Sequence, residues 1–361
     1  MSSTAVAQHR MRILHVLHSH GYGGAENHAL VLMQALQAQG HEVHCAGSPG
    51  SWLAQRCAQA GIPFHGVAMR GLYDVFSMLK LRRLVARWRP HVVHGHLIRG
   101  AFYAGLAAWG RPGAVAICTA HATTARKHME RCRHVIAVSA AVRQALLQHG
   151  QTEDRVTLVY NGVPDVPTED RQALRDELGM APATFALVNA GRFVADKGQD
   201  TLVRALKHCG PDVHLYLIGD AQTPFGESVR ASVPEHVRVT FLGYRADVPR
   251  LLGAFDAYVL GSRREALGLS LVEAAAARLP SIATSVGGVP EVVLDGRSGW
   301  LVPVDDVLAM AQQVERLRAQ EPQARAAMGE LARQHYLAHF TVQRMVEGTV
   351  AVYRRVAAGV A

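Results

Sequence analysis

Two cations and two carboxylates in the second half of the chain have the types and spacing needed to bind a phosphorylated sugar. Arg192 and Lys197 follow one apolar segment, and Glu265 and Glu273 follow another. Arg offers a planar fork of donors and Lys a point charge, and both suit phosphate oxygens. Carboxylates on either side of such a site can accept hydrogen bonds from hydroxyl groups. The set predicts a site for a sugar, a diphosphate and a ribose in a row. The alternatives are two solvated cations, a capping acid and a surface acid.

Glycine-rich turns accompany these side chains. Gly268 precedes a predicted helix that runs through Ala277, so the amides near Gly268 and Leu269 would point at an anion. In the first half of the chain, residues 21–26 follow the first predicted strand and open a helix predicted over 25–39. The last position of that turn is Glu, where a dinucleotide fingerprint needs a third glycine. The turn therefore disfavours a dehydrogenase, and a plain tight turn is its other interpretation.

Histidines could supply hydrogen bonds or metal ligands. His121 ends a predicted strand, where it could hydrogen-bond a sugar hydroxyl, although a lone histidine more often has a structural role. His94 and His96 are two residues apart on another predicted strand and therefore share one face. That pair leaves a metal site open, whereas our prediction for the catalytic site contains no metal. The sequence also lacks an Asp-x-Asp pair that would hold a divalent ion.

Alternating strands and helices must position these residues. Short apolar segments alternate with helical segments in both halves of the chain, which predicts an α/β protein with parallel sheets. Ligands of such sheets bind outside the carboxyl ends of the strands. The segment from Asn161 to Pro164, with polar residues through Asp170, interrupts the alternation. We therefore predict two Rossmann-like, doubly wound domains that face a cleft. Their ranges are 1–162 and 163–361, with a last helix that could pack back on the first domain. The predicted strands are 12–18, 41–46, 64–67, 92–96, 114–119, 134–138, 156–159, 185–190, 213–218, 237–242, 257–260, 281–283 and 300–302.

Composition limits the class of protein. The 361 residues are 49% hydrophobic and 19% charged, which is typical of globular proteins. No uninterrupted apolar stretch reaches about 18 residues, and residues 1–10 lack the pattern of a signal peptide. The five cysteines are scattered and odd in number, which predicts reduced thiols. We therefore expect a cytoplasmic protein.

Positive charge is concentrated in the first half of the chain. Residues 1–160 contain 17 Lys and Arg but 6 Asp and Glu, within a net charge of +9 for the whole chain. This asymmetry predicts an anionic partner, either a phosphate-bearing acceptor or an anionic membrane surface. Residues 80–89 hold five of the cations and have apolar residues at helical spacing, so they form either a sheet-covering helix or a docking helix. The few aromatic residues are not interleaved with the cations, which disfavours nucleic acid.

In combination, the motifs are similar to those of the retaining GT-B glycosyltransferases of family 4, also called glycosyl transferase group 1. Each motif is weak alone, but all occur in the family's order over about residues 12–305. The matching positions are 23–26, His121, 161–163, 191–192, 197–198, 241–243, Glu265 with Glu273, 287–291 and 298–299.

The resemblance implies an activity and a set of roles. It implies transfer of a sugar from a nucleoside-diphosphate sugar with retention of configuration, by front-face substitution, and with no metal or other cofactor. The acceptor, bound by the first domain, would be a glycan, glycolipid or lipopolysaccharide precursor in cell-envelope synthesis. The implied catalytic residues are His121, beside the transferred sugar, and Glu265, on its hydroxyls. The implied donor-binding residues are Gly24, Arg192, Lys197, Gly268 and Leu269 at the diphosphate and Glu273 at the ribose.

Two other functions fit the same fold. A hydrolysing sugar-nucleotide epimerase would need acids that remove a proton from the second carbon of the sugar. A non-catalytic sugar- or nucleotide-binding module would not need Arg192, Lys197 and Glu265 together. A glycosyltransferase accounts for all of these residues, and we therefore favour it.

Overall fold

Residues 10–124, 127–167 and 169–359 are described by a computed structural model. The chain divides into two compact units. The first contains Met1–Gly162 and Val342–Ala361, and the second contains Val163–Thr341. Residues 1–9, part of the segment in which we predict no signal peptide, lie outside the described residues.

The first unit is built on a parallel sheet of seven strands. Its strands are β1 (Arg12–Leu17), β2 (Glu42–Gly47), β3 (Phe64–Gly66), β4 (Val92–His96), β5 (Val115–Ala120), β6 (His134–Ala137) and β7 (Val156–Leu158). Its helices are α1 (Gly24–Ala38), α2 (Trp52–Gln59), α3 (Val75–Trp88), α4 (Leu97–Ala108) and α5 (Ala140–Gln148), together with a last helix given below. The strand order is β3-β2-β1-β4-β5-β6-β7. The strands β1, β4, β5 and β6 are almost continuously buried because helices cover both faces of a parallel sheet.

The second unit is built on a parallel sheet of six strands. Its strands are β8 (Phe185–Ala190), β9 (Val213–Ile218), β10 (Arg238–Gly243), β11 (Ala257–Leu260), β12 (Ser281–Thr284) and β13 (Gly299–Val302). Its helices are α6 (Arg171–Glu177), α7 (Gln199–Leu206), α8 (Pro224–Ala231), α9 (Val248–Leu251), α10 (Leu269–Ala276), α11 (Val289–Val292), α12 (Val307–Arg318) and α13 (Pro322–His339). The strand order is β10-β9-β8-β11-β12-β13.

Both sheets reverse their strand order once, between β1 and β4 and between β8 and β11. At such a reversal the two following loops leave on opposite sides of the sheet, which opens a crevice at the carboxyl ends of the strands. The loops after β8 and β11 carry Lys197 and Glu265. The topology of the second unit therefore brings together two residues that are 68 positions apart in the chain.

The last helix, α14 (Val342–Ala358), belongs to the first unit. Its buried side chains, among them Met345, Val350 and Tyr353, are part of the same hydrophobic core as residues of β1 and α1. The predicted second domain, 163–361, therefore includes a helix that the structure places in the first unit. The reason is the apolar face of α14, which completes the core of that unit.

The predicted strands agree with the observed ones. All thirteen are present, and each end falls within one residue of the predicted end. The five cysteines form no disulfide. None of the described helices is both long enough and apolar enough to cross a membrane.

Candidate functional site

Lys197 and Glu265 form an ion pair beside the carboxyl ends of β8 and β11. Lys197 Nζ lies 2.6 Å from Glu265 Oε1, and the hydroxyl of Ser262 donates to the same oxygen over 2.9 Å. The Glu265 side chain is only 9% exposed, so water screens its charge poorly. The other carboxylate oxygen of Glu265 makes no hydrogen bond to the described residues. That oxygen remains able to accept a hydrogen bond from a ligand hydroxyl.

Glycines let the loops of this site approach one another closely. A Cβ atom on Gly287 would lie 1.8 Å from the carbonyl oxygen of Glu265, and one on Gly198 would lie 1.9 Å from that of Gly261. Both glycines also have left-handed φ angles, of 54° and 62°. The loops after β8, β11 and β12 therefore touch through their backbones, and this contact sets the position of Glu265.

Arg263 ties the loop after β11 to the loop after β8, a role that the sequence analysis did not assign. Its amide donates to the carbonyl of Asp196 over 2.8 Å, and its guanidinium donates to Asp200 and Asp305 at 2.8 and 2.9 Å. Hydrogen bonds from these two carboxylates raise the pKa of Arg263 further above its ordinary value. The partners lie 63 and 42 positions away, so local spacing carried no signal of this network.

The helix α10 begins directly after Gly268, as the glycine turn predicted. Gly268 is its N-cap residue, with a φ angle of 91°. The carbonyl of Gly268 accepts hydrogen bonds from the amides of Leu271 and Val272. The amides of Leu269 and Ser270 have no backbone acceptor among the described residues. Free amides at the start of a helix, together with its dipole, form a binding site for an anion.

Glu273 lies one turn into α10 and has no cationic partner in the described part of the chain. It is partly buried. Burial raises the pKa of Glu273 from 4.5 to about 7. Hydrogen bonds donated to a carboxylate stabilise its ionised form. A ligand hydroxyl that donates to Glu273 would therefore lower its pKa again.

Arg192 follows β8 and has an exposed side chain. Its carbonyl accepts a hydrogen bond of 3.0 Å from the side chain of Gln199. Its guanidinium pairs with no acid and no carbonyl among the described residues. Arg192 and Lys197 thus differ: the first keeps all its donors for a ligand, whereas the second already holds Glu265.

Gly24 and His121 lie in the first unit. Gly24 comes directly after the loop that follows β1, and His121 comes directly after β5. Gly24 is the first residue of α1, one position before the predicted start. His121 Nε2 lies 3.2 Å from His96 Nδ1, and its ring is 5.0 Å from that of His28. Burial, with a smaller contribution from His28, holds the pKa of His121 well below its ordinary value. His121 is therefore neutral near pH 7.

His94, which the sequence analysis paired with His96, has a structural environment. Its Nδ1 lies 2.6 Å from the hydroxyl of Tyr353 on α14, and its Nε2 lies 2.7 Å from Thr119 Oγ1. Both ring nitrogens thus have partners inside the core. His96, in contrast, connects to His121.

A cavity of about 430 Å³ lies at the amino ends of the strands of the second sheet, opposite the ends that carry Lys197 and Glu265. It is lined by residues at the amino ends of β8 and β11, including Arg171 and Asp256. These two side chains pair with each other at 2.8 Å. The cavity is thus separate from the loops that carry Lys197 and Glu265.

Comparisons with known proteins identify the family. Residues 22–165 match the model of glycosyltransferase family 4, and residues 184–320 match that of the glycosyl transferases group 1. The α-maltose-1-phosphate synthase of Mycolicibacterium smegmatis is 30% identical to this chain, over 93% of this chain and 96% of that protein. The chain belongs to the group 1 glycosyltransferases of family 4. This glycosyltransferase is also 28% identical to the N-acetyl-α-D-glucosaminyl L-malate synthase of Bacillus anthracis, over 92% of this chain and 93% of that protein.

Solved structures agree with this family. Anabaena HepE in complex with UDP-glucose superimposes with a TM-score of 0.84 and 23% identity, over 96% of this chain and all of that one. A glycosyltransferase from Rickettsia africae gives a TM-score of 0.85 and 21% identity, over 97% of this chain and 99% of that one. The glycosyltransferase therefore has the GT-B fold.

Proposed function

We propose that this glycosyltransferase transfers the sugar with retention of configuration and without a metal ion. The observation that carries the proposal is the Lys197–Glu265 pair at 2.6 Å beside the free amides that begin α10. Negative charge builds on the diphosphate as it leaves, and fixed cations and amide dipoles stabilise that charge. In a metal-dependent enzyme, a divalent ion would stabilise this charge. Here we propose that Lys197 and the amides at the start of α10 do so instead.

Each donor-site residue receives a distinct task in this proposal. Lys197 has three donors, so it can keep its bond to Glu265 while it binds the diphosphate. Arg192 and the amides of Leu269 and Ser270 bind other phosphate oxygens, and Gly24 permits a close backbone approach. The free oxygen of Glu265 accepts from a hydroxyl of the transferred sugar. Glu273 accepts from the ribose.

We propose a front-face substitution for the transfer itself. The bond between the anomeric carbon and the diphosphate oxygen breaks, the bond to the acceptor oxygen forms on the same face, and the acceptor proton passes to the leaving phosphate. A covalent intermediate would need a carboxylate nucleophile. The nearest acid after His121 in the sequence is Glu130, whose side chain is exposed and lies 4.0 Å from His128. His121, being neutral, hydrogen-bonds the transferred sugar.

A donor screen tests this function. The enzyme would be incubated with ADP-, GDP- and UDP-sugars in the presence of a chelator, and the released nucleoside diphosphate would be measured. UDP-glucose is the first donor to test, because HepE was solved with it. We expect slow hydrolysis of donors with one base, unchanged by the chelator. No release from any donor, or a loss with chelator that a divalent ion restores, would contradict the proposal.

We also propose that the first unit docks on an anionic membrane and takes a lipid-linked acceptor there. Tyr73 and Phe76, at the start of α3, are 84% and 87% exposed, and Val75 is 58% exposed. These three side chains lie within four positions of one another, and a contiguous exposed apolar patch marks an interaction surface. An apolar tip beside a row of cations is typical of surfaces that contact lipid.

The cations of α3 continue this surface. Lys80, Arg83 and Arg87 are exposed on the same helix, whereas Leu81 and Val85 are buried on its other face. The helix therefore covers the sheet and also presents charge. Arg82 is different, because its guanidinium donates to the carbonyl of Leu106 over 2.7 Å. The docking surface is thus Tyr73, Val75, Phe76, Leu79, Lys80, Arg83 and Arg87.

A soluble phosphorylated acceptor is the second candidate. Relatives of this chain are named α-maltose-1-phosphate synthase and D-inositol 3-phosphate glycosyltransferase. A phosphate on the acceptor would also account for the basic first unit. The two candidates differ in whether the protein binds anionic vesicles.

A further inference from the structure

Five histidines of the first unit form a cluster in which four rings contact that of His96. They come from β1, α1, β4 and the end of β5, and the contacting pairs have ring centroids 4.3–5.8 Å apart. The members of this histidine cluster are His15, His28, His94, His96 and His121. The transfer reaction proposed above uses only the last of them.

His28 is the member without a partner. It is 5% exposed, and neither of its ring nitrogens has a hydrogen-bond partner among the described residues. A buried polar group of this kind is unusual, because burial removes its hydrogen bonds to water. Burial also lowers the pKa of His28 to about 4, so the imidazole is neutral at pH 7 and keeps a free lone pair. Such a nitrogen is ready to bind a metal ion.

Three members of the cluster can reach one ion. His28, His96 and His121 each offer a nitrogen, and the three atoms lie within 4.8 Å of one another. His96 Nδ1 and His121 Nε2 are 3.2 Å apart. Two nitrogens at about 2.1 Å from a tetrahedral zinc ion would be about 3.4 Å apart. The distance between His96 Nδ1 and His121 Nε2 is thus already close to that in a zinc site, and His28 offers a third nitrogen within 4.8 Å of the other two.

The other geometric set, His15 with His94 and His96, is less suitable. His94 already bonds through both nitrogens, to Tyr353 and Thr119. An ion there would have to break at least one bond inside the core. His28 has no hydrogen bond to lose, and an ion bound by His28, His96 and His121 would replace the bond between His96 and His121.

We propose that His28, His96 and His121 form a binding site for a divalent transition-metal ion such as Zn²⁺. Three imidazoles leave the fourth position of the ion for water. His15 Nδ1 lies 2.9 Å from His96 Nε2. In the tautomer that the site requires, His15 Nδ1 accepts the proton of His96 Nε2, which leaves the Nδ1 lone pair of His96 for the ion. If His121 has the role proposed above, the ion competes for its Nε2 and inhibits transfer.

Metal titration of the full-length protein tests the site without relying on activity. Protein freed of metal would be titrated with Zn²⁺ against a chromophoric chelator at pH 7.5, with millimolar Mg²⁺ present. We expect one tight equivalent, which Mg²⁺ does not displace because it prefers oxygen ligands. His28→Gln should weaken Zn²⁺ binding at least tenfold. His15→Ala, which removes only the orienting partner, should weaken it on the order of tenfold.

His65→Gln is the matched control. His65 Nε2 lies 3.1 Å from His44 Nδ1, so this pair has the spacing of His96 and His121, but it belongs to no described group of three metal-ligating side chains. The tight equivalent should survive this substitution. Its absence from the wild type, or its survival in His28→Gln, would overturn the proposal. If His28→Gln does not fold, the visible spectrum of Co²⁺ bound to the wild type decides: strong four- or five-coordinate absorption supports the site, and a weak octahedral spectrum overturns it.

Activity separates this proposal from the proposed function. Tight Zn²⁺ binding that leaves transfer unchanged would show that the ion site exists while His121 does not contact the sugar. Zn²⁺ inhibition that His28→Gln relieves would support both.

Discussion

One carboxylate oxygen of Glu265 accepts hydrogen bonds from Lys197 and Ser262, whereas the other is free for a ligand. A substitution of Glu265 can therefore be tested for its effect on turnover and, separately, on stability. We expect Glu265→Gln to lower turnover on the order of 30- to 150-fold, which is a loss of about 2–3 kcal/mol of transition-state stabilisation. The reason is that an amide is a poorer acceptor than a carboxylate for a sugar hydroxyl. Melting temperature should fall modestly, since Lys197 loses its counter-charge. Glu227→Gln, on an exposed acid of α8, is the control for both measurements. A variant that keeps more than about a tenth of wild-type turnover would remove Glu265 from the reaction.

Arg192 and Lys197 should differ when each is replaced by Ala. Both variants should bind nucleoside diphosphate more weakly, by about 1.5–3 kcal/mol, since charge-assisted hydrogen bonds to phosphate are lost. Only Lys197→Ala should also lower the melting temperature, because it leaves the partly buried Glu265 unpaired. Calorimetry measures the affinity, and Lys207→Ala on an exposed lysine is the control. Equal affinities of the wild type and Arg192→Ala would contradict the assignment.

Glu273 predicts a pH dependence with a definite sign. Its pKa is higher in the folded chain, about 7, than the ordinary 4.5, so the folded protein holds the proton more tightly. Free energy of unfolding therefore falls as the pH rises through this window. Glu273→Gln removes the effect, and its stability relative to the wild type should rise from near zero at pH 4.5 to about 3 kcal/mol at pH 8.

Urea unfolding at several pH values measures that difference, with Glu227→Gln as the control. Donor binding gives a second readout. If the ionised carboxylate accepts from the ribose, wild-type affinity should weaken as the pH falls below about 7. A difference in stability that is the same at pH 5 and pH 8 would contradict the raised pKa of Glu273.

The loops around α10 act as one element, and Gly287 tests their contact. A methyl group at Gly287 would collide with the carbonyl oxygen of Glu265, whereas nothing lies within 4 Å of the corresponding position at Gly296. Both residues have left-handed φ angles, 54° and 71°, so either Ala variant carries backbone strain of about 1–2 kcal/mol. Only Gly287→Ala should move Glu265.

We therefore expect Gly287→Ala to lower donor affinity at least tenfold and Gly296→Ala to leave it unchanged. Both should lower the melting temperature. Calorimetry with the donor and thermal unfolding check the pair. Equal donor affinities in the two variants would mean that the loop contact does not position Glu265.

The elements were easier to predict than the contacts between them. Apolar strands flanked by glycine turns identify themselves locally, and the rule that ligands bind at the carboxyl ends of strands pointed to the loops of Lys197 and Glu265. Their ion pair depends on β8 and β11 being neighbours, which follows from the strand order alone. Arg263 with its two acids, and His28 beside His121, come from distant segments. No local pattern distinguishes such partners from solvated side chains.

At the scale of the molecule, the docking surface on α3 predicts binding to vesicles. The protein should cosediment with anionic vesicles at low salt and dissociate as salt rises, because salt screens the cations. Replacing Lys80, Arg83 and Arg87 by Gln should weaken binding on the order of 100-fold, at about 1 kcal/mol for each cation. Phe76→Ser should weaken it without changing the salt dependence.

The control replaces Lys207, Arg230 and Arg238 of the second unit by Gln, which removes the same charge from exposed positions outside this surface. That variant should bind vesicles as the wild type does. If the wild type ignores anionic vesicles at low salt, the membrane proposal fails. A soluble phosphorylated acceptor then becomes the better candidate.

The return of α14 to the first unit has a consequence for how the protein is made. The chain leaves the first unit after Gly162 and re-enters it at Val342, so a whole second unit is synthesised in between. During that interval β1 and α1 lack the helix that buries their core, and His94 lacks the hydroxyl of Tyr353. At about 5–20 residues per second, the ribosome adds the intervening 179 residues in roughly 9 to 36 seconds. The unit that is translated first is therefore the last to finish folding, and a nascent chain that stalls before Val342 would expose the core of the first unit to chaperones and proteases.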